Sequence, residues 1–147
     1  KKIKQIKNDL GEYGGLLENK KNVEILEAEP HSFILVDGEP YIILIDDKAF
    51  PTLKAALANE IDGKTVTVDM GAVRFVTNGA DIMSPGIVAA DDGIEPGDVV
   101  LIVDETHHKP LAIGVSLITG EEMVENDSGK AIETKHFVGD DIWNFEL

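Results

Sequence analysis

The sequence predicts an α+β chain in two parts: a small N-terminal α+β domain over residues 1–63 and a C-terminal domain of short strands over residues 64–147. Three observations carry this. Asp37-Gly38 stands between the apolar runs HSFILV and PYIILI, a hairpin signal because both turn positions need positive φ. Helical spacing of apolar residues occurs twice before Asp62-Gly63, around Leu10 and around Leu53. From Lys64 onward the texture changes to short strands separated by Gly and Pro, a spacing that indicates a small barrel or sandwich.

Taken in order, Ile3, Ile6 and Leu10 share one helical face, which predicts an amphipathic helix over residues 1–10 ended by Gly11. Its lysines, Lys1, Lys2, Lys4 and Lys7, read either as a solvated face or as a basic arm. Strands are expected at 23–27, 31–36 and 40–45. A helix is expected over 49–59, with Pro51 in its first turn and Leu53, Ala56 and Leu57 on its core face. In the second part, Val66 and Val68 alternate with Thr65, Thr67 and Asp69 as in a half-buried strand. Residues 72–78 make one to two helical turns, with Val73 and Val76 inward and Gly79 as the left-handed closing residue. Strands follow at 87–90 and 99–103, joined by Asp91-Asp92-Gly93 and by Glu95-Pro96-Gly97, where Pro-Gly suits a type II turn. A polar loop at 104–109, a strand at 111–118, a turn at 126–129 and a last strand at 130–138 complete the chain.

Composition limits what this fold can do. The net charge is −15, and it is uneven: residues 1–63 carry 8 Lys against 12 Asp+Glu, a net −4, while residues 64–147 carry 5 Lys+Arg against 16 Asp+Glu, a net −11. A broad electrostatic footprint on nucleic acid needs Lys and Arg to neutralise phosphates, so any such role is local, and DNA is not an expected partner. No cysteine is present, which removes disulfides, thiolate metal sites and a cysteine nucleophile and fits a cytoplasmic protein. No apolar run approaches the roughly 18 residues of a membrane span, and the first ten residues lack a signal peptide's apolar region. The chain does not begin with Met, so residues are expected to precede Lys1.

The segment VDMGAVRFVTNGADIMSPGI (residues 68–87), the strand start Gly97-Asp98, LAIGVS (111–116) and GKAIETKHFVGDDIW (129–143) together resemble the PUA domain, an RNA-binding pseudo-barrel. FPTLKAAL (50–57), just upstream, resembles the N-terminal domain of archaeal stand-alone PUA proteins, whose eukaryotic relatives are the malignant T-cell-amplified-sequence proteins and ligatin. The resemblance implies a small N-terminal α+β domain followed by a PUA-type β pseudo-barrel. It implies a non-enzymatic RNA-binding protein acting in translation or RNA processing, with tRNA or small-subunit ribosomal RNA as ligand and the ribosomal small subunit or a translation factor as partner. The family's surface falls on Gly71, Ala72, Arg74, Phe75, Asn78, Gly79, Pro85, Gly86 and Ile87, with Lys135 and His136 on the late strand.

Each of these residues also has a plain structural use. The glycines let backbone approach a ribose or base, or they serve only turns. Arg74, the single arginine, offers a planar fork to phosphate, or pairs with Asp69 or Asp81. Phe75 stacks a base if exposed and packs in the core if not. Asn78 offers paired donor and acceptor groups. Strand alternation points only one of Lys135 and His136 toward a given face. No GxSxG, GxGxxG, Walker lysine or HExxH is present, so no catalytic residue is assigned. His107-His108 are adjacent, a poor spacing for one metal, and Asp46-Asp47 and Asp91-Asp92 read as turn residues, so neither a metal nor a cofactor is expected. An acidic protein-interaction adaptor and an accessory subunit of an RNA-modifying enzyme are the alternatives.

Overall fold

The computed structural model describes residue 9 and residues 23–28, 31–45, 48–59 and 64–145. The chain divides into two compact units, residues 1–62 and 63–147. In the first, four strands pair antiparallel in sequence order: β1 (Val23–Ala28), β2 (His31–Val36), β3 (Glu39–Ile45) and β4 (Lys48–Pro51). Asp37 (φ 52) and Gly38 (φ 86) turn β2 into β3, both in the left-handed region that a two-residue hairpin loop requires. Phe33, Ile34, Ile42, Ile43 and Phe50 are fully buried there.

The helix expected over 49–59 is shorter. Ala49, Phe50 and Pro51 pair with Leu44, Ile43 and Ile42 as an edge strand, where proline's missing N–H is tolerated. Helix α1 (Leu53–Asn59) starts only after Thr52, whose hydroxyl accepts from Ala55 N (3.2 Å) and donates to Pro40 O (3.0 Å). Leu53, Ala55 and Ala56 are buried, while Leu57, expected in the core, is 45% exposed. Two turns of helix bury one side only, and Leu57 falls beyond it. The helix expected over 1–10 and the pair Asp46-Asp47 lie outside the described residues apart from Asp9, whose carboxylate accepts from Ala49 N (3.1 Å).

The second unit holds β5 (Thr65–Val68), helix α2 (Val73–Val76), β6 (Ile82–Met83), a 3-10 turn (Ser84–Gly86), β7 (Ile87–Ala90), β8 (Val99–Asp104), β9 (Pro110–Ser116), helix α3 (Gly120–Glu125) and β10 (Lys130–Phe137). One six-stranded sheet in the order β6-β10-β9-β8-β5-β7 curls into a near-barrel, and β5 runs parallel to β8 with Thr65 opposite Leu101. The alternation read from sequence holds: Val66 and Val68 are fully buried and join Ile102, Leu111 and Ile132 in one core. Val76 of α2 packs into that core. Helix α3 was not expected. Its start carries a capping box, in which Thr119 accepts from Glu122 N (3.2 Å) while Glu122 accepts from Thr119 N (3.0 Å), and Met123 inserts into the core. Among the described residues no helix is long and apolar enough to cross a membrane.

Candidate nucleic-acid interface

Helix α2 is positioned by the turn before it. Asp69 N donates to Gly86 O (2.9 Å), tying the turn to the Ser84–Gly86 segment, and the Asp69 carboxylate accepts from Ala72 N (2.9 Å), which opens the helix. Gly79 ends it at φ +87, with Phe137 packed so close that a Cβ would stand 2.8 Å from Cε1. Between the helix and the Met83–Gly86 segment lies an open groove of about 550 Å³. Gly71, Ala72, Phe75, Pro85 and Gly86, all singled out from sequence, line it together with Val76, Ala80, Ile82 and Met83. At Gly86 the helix comes close, since a Cβ there would meet the Ala72 Cβ at a tight 3.3 Å.

The two readings of Phe75 are resolved by its exposure of 54%: the ring is not core. The Arg74 guanidinium carbon lies 4.9 Å from the ring centroid, a cation–π contact, and Phe75 lines the groove. Arg74 does not pair with Asp69 or Asp81. Asp69 is occupied by Ala72 N. Asp81 binds Lys130 (3.0 Å) and accepts from Thr134 N (2.9 Å). Burial pushes the Asp81 carboxyl up, but the Lys130 hydrogen bond, the Thr134 N–H and the charges of Lys130 and Lys135 outweigh this and hold it below its ordinary 3.8. Lys130 offsets the charge of Asp81, which weakens its repulsion of an incoming phosphate, while the Asp69 carboxylate is hydrogen-bonded to Ala72 N and keeps its charge.

The remaining expected residues contribute less or lie elsewhere. Asn78 uses its amide to donate to Arg74 O (2.7 Å), closing the helix end. Ile87 is buried in the core. Lys135 pairs with Glu133 (2.7 Å). The His136 side chain is 1% exposed, with Nδ1 2.8 Å from Asp140, so it is buried against the C-terminal turn and not open on the surface. The β10–β9 register shifts between Thr134 and His136, so that Phe137, opposite Ala112, packs against the core and His136 lies on the other side of the strand, held by Asp140. Sequence reasoning missed Met83, 49% exposed across the groove from α2, and Met70, 48% exposed at the turn before it. Their signal was slight, since an isolated Met before a Ser-Pro-Gly or Gly-Ala turn is equally a core residue.

A curled six-stranded sheet with a short helix and a glycine-framed groove on its surface is the architecture of one family, and the family model for the PUA domain matches residues 64–138. The chain belongs to the PUA-domain family. A second model, a domain of unknown function (DUF1947), matches residues 1–59. The chain is 47% identical to an uncharacterized protein of Methanocaldococcus jannaschii, over 99% of this chain and 93% of the relative. It is 34% identical to Translation machinery-associated protein 20 of Saccharomyces cerevisiae, over 90% of this chain and 77% of the relative. Among solved structures, a hypothetical protein of Pyrococcus horikoshii OT3 superposes with a TM-score of 0.83 at 39% identity, covering 97% of this chain and 93% of that one. A chain of an H/ACA RNP bound to a substrate RNA superposes with a TM-score of 0.52 at 30% identity, covering 66% of this chain and 29% of that one.

Proposed function

We propose that this protein is a non-enzymatic RNA-binding component of the translation machinery that docks on tRNA or small-subunit ribosomal RNA through the α2 groove. The observation that carries the reading is the exposed Phe75 ring, in contact with Arg74 and facing an apolar groove with Met83 opposite. An unpaired base is flat and apolar on its faces and polar on its edges. Aromatic side chains bind such bases by stacking, which is worth roughly 1–3 kcal/mol per base. The groove supplies the ring and an apolar wall, its glycines bring backbone close, and Arg74 at its rim offers a phosphate contact. Two likenesses support the ligand class: to a translation machinery-associated protein, and to a chain of an RNA-bound H/ACA particle.

The test is a titration of a tRNA and of a small-subunit ribosomal RNA fragment at two salt concentrations. Phe75→Ala should weaken binding by roughly 5- to 150-fold, the equivalent of one lost stack, while leaving the thermal midpoint unchanged because the ring is already exposed. Arg74→Ala should lower the salt dependence. Affinity untouched by both substitutions, or independent of salt, would remove this reading.

A further inference from the structure

Residues 64–147 contain five Lys and Arg residues. Three are engaged: Lys64 with Asp98 (2.7 Å), Lys130 with Asp81 (3.0 Å) and Lys135 with Glu133 (2.7 Å). Among the described residues no carboxylate pairs with Arg74 or with Lys109. Arg74 stands at the groove. Lys109 closes the loop 104–109 (DETHHK), which sequence alone marks only as polar and which, with two acids against one lysine, looks unsuited to an anion.

In the structure both acids of the loop are hydrogen-bonded to backbone, and Lys109 is not paired with either. Asp104 turns its carboxylate inward, accepting from His107 N (2.6 Å), Thr106 N (2.9 Å) and Lys109 N (3.1 Å). The His107 N–H foremost, with those of Lys109 and Thr106, holds its carboxyl below the ordinary 3.8. Glu105 is also committed: its carboxylate accepts from Met70 N (2.9 Å) while its own N–H donates to Val68 O (3.0 Å). Asp104 is buried while Glu105 stays exposed beside Met70, and at the loop's end the side chains of His107, His108 and Lys109 are exposed. His108 takes a left-handed backbone (φ 53) and donates its N–H to Asp104 O (3.1 Å), so the loop is a bonded turn. The Glu105–Met70 bond places it directly beside the residue that leads into Gly71 and the groove.

We infer that the loop 104–109 is a second RNA contact, in which Lys109 binds a backbone phosphate of the strand whose base occupies the groove and the His107 and His108 rings flank it. The inference rests on the RNA-binding reading of the groove. The surrounding acidity restricts the contact to the immediate neighbourhood, because exposed charges are screened beyond roughly 8 Å at physiological salt. Arg74, four residues after Met70, and Lys109, at the end of the loop bonded to Met70 N, then supply two phosphate contacts.

The experiment uses the full chain with an unstructured RNA oligonucleotide and a tRNA as probes, measuring affinity across a salt series. Lys109→Ala should remove roughly 0.7 from the slope of log affinity against log salt, as one lost single-strand phosphate contact does, and Lys109→Arg should restore it. Arg74→Ala combined with Lys109→Ala should remove about twice that amount. Lys109→Glu should weaken binding further without moving the thermal midpoint. Binding that is lost in Phe75→Ala yet unchanged in affinity and slope by Lys109→Glu overturns the loop contact alone. No binding of either RNA by the wild-type chain overturns the groove reading and this one with it.

Discussion

Two cavities of the second unit have the same size, about 550 Å³ each, and opposite chemistry. The groove at α2 is walled by Ala72, Phe75, Ile82, Met83 and Pro85, and its two acids are bonded within the protein. The hollow at α3 is walled by Asp91, Asp92, Glu95, Glu121 and Glu125 around Ile94 and Val124. Volume therefore does not select the ligand; the number of carboxylates does, two at the groove against five at the hollow. At the groove, acids spent on Ala72, Thr134 and Lys130 leave an apolar wall and an arginine. At the hollow, five carboxylates on one surface repel phosphate. The net −11 of residues 64–147 is thus compatible with a local RNA site, because much of it gathers away from the groove.

Substitutions at paired glycines give the strongest way to break this contrast. Gly79→Ala forces a left-handed side chain against Phe137 Cε1 at 2.8 Å, and the penalties for a left-handed residue and for overpacking together suggest roughly 2–4 kcal/mol of lost stability in a urea melt. Gly120→Ala, at the hollow, brings a Cβ within 2.7 Å of Asp91 O and should also destabilise the unit. Only Gly79→Ala should lower RNA affinity at a temperature where both variants remain folded. Equal effects on binding would erase the distinction between the two cavities.

Acid should act next, through the support of the groove. The Asp140 carboxylate accepts from Phe137 N (2.8 Å) and Trp143 N (2.7 Å) and faces His136 Nδ1, and Phe137 is the ring that backs Gly79. Burial raises the Asp140 pKa, but the His136 hydrogen bond and charge and the two N–H groups prevail and depress it below 3.8. A carboxyl depressed in the folded state contributes stability that is fully present above its unfolded value and is lost as pH falls through the folded one. Stability should therefore fall as the pH drops below 3.8, and Asp140→Asn should flatten that acid limb, measured by urea melts across pH.

The smallest effect is expected at the hollow itself. Glu121→Gln with Glu125→Gln should raise RNA affinity slightly at low salt, with the gain fading as the screening length shortens toward roughly 8 Å at physiological ionic strength. A loss of affinity in this variant would place RNA at the wrong cavity.

Much of the second unit was legible because its signals are local. Val66 and Val68 alternate, and Gly79 closes the helix where left-handed backbone is needed, as Asp37-Gly38 makes its turn in the first unit. Two errors were also local and had readable signals. Ala49, Phe50 and Pro51 form a strand because β3 offers them a ladder, an opportunity that helical spacing does not register. Thr119 and Glu122 form the capping box of α3, a four-residue pattern that strand-rich surroundings masked. Of the candidate site, five of the eleven expected residues line the groove, and those are the ones anchored by glycine, proline and the helix face. His136 is not on the surface because Asp140 and the turn after β10 cover it, a partnership that strand alternation does not register.

By itself the sequence determined the two-part α+β organisation, the glycine frame of the site and the limit its charge places on RNA contact, since turn chemistry, apolar period and charge are properties of neighbouring residues. The tertiary structure alone decided which charges are free. Thr65 meets Leu101 across the parallel β5–β8 pair, Asp81 meets Thr134, and Glu105 meets Met70. Those partners lie more than thirty residues apart in the chain, so the bonds of Asp81 and Glu105 cannot be read from neighbours, while Phe75, Arg74 and Lys109 are exposed.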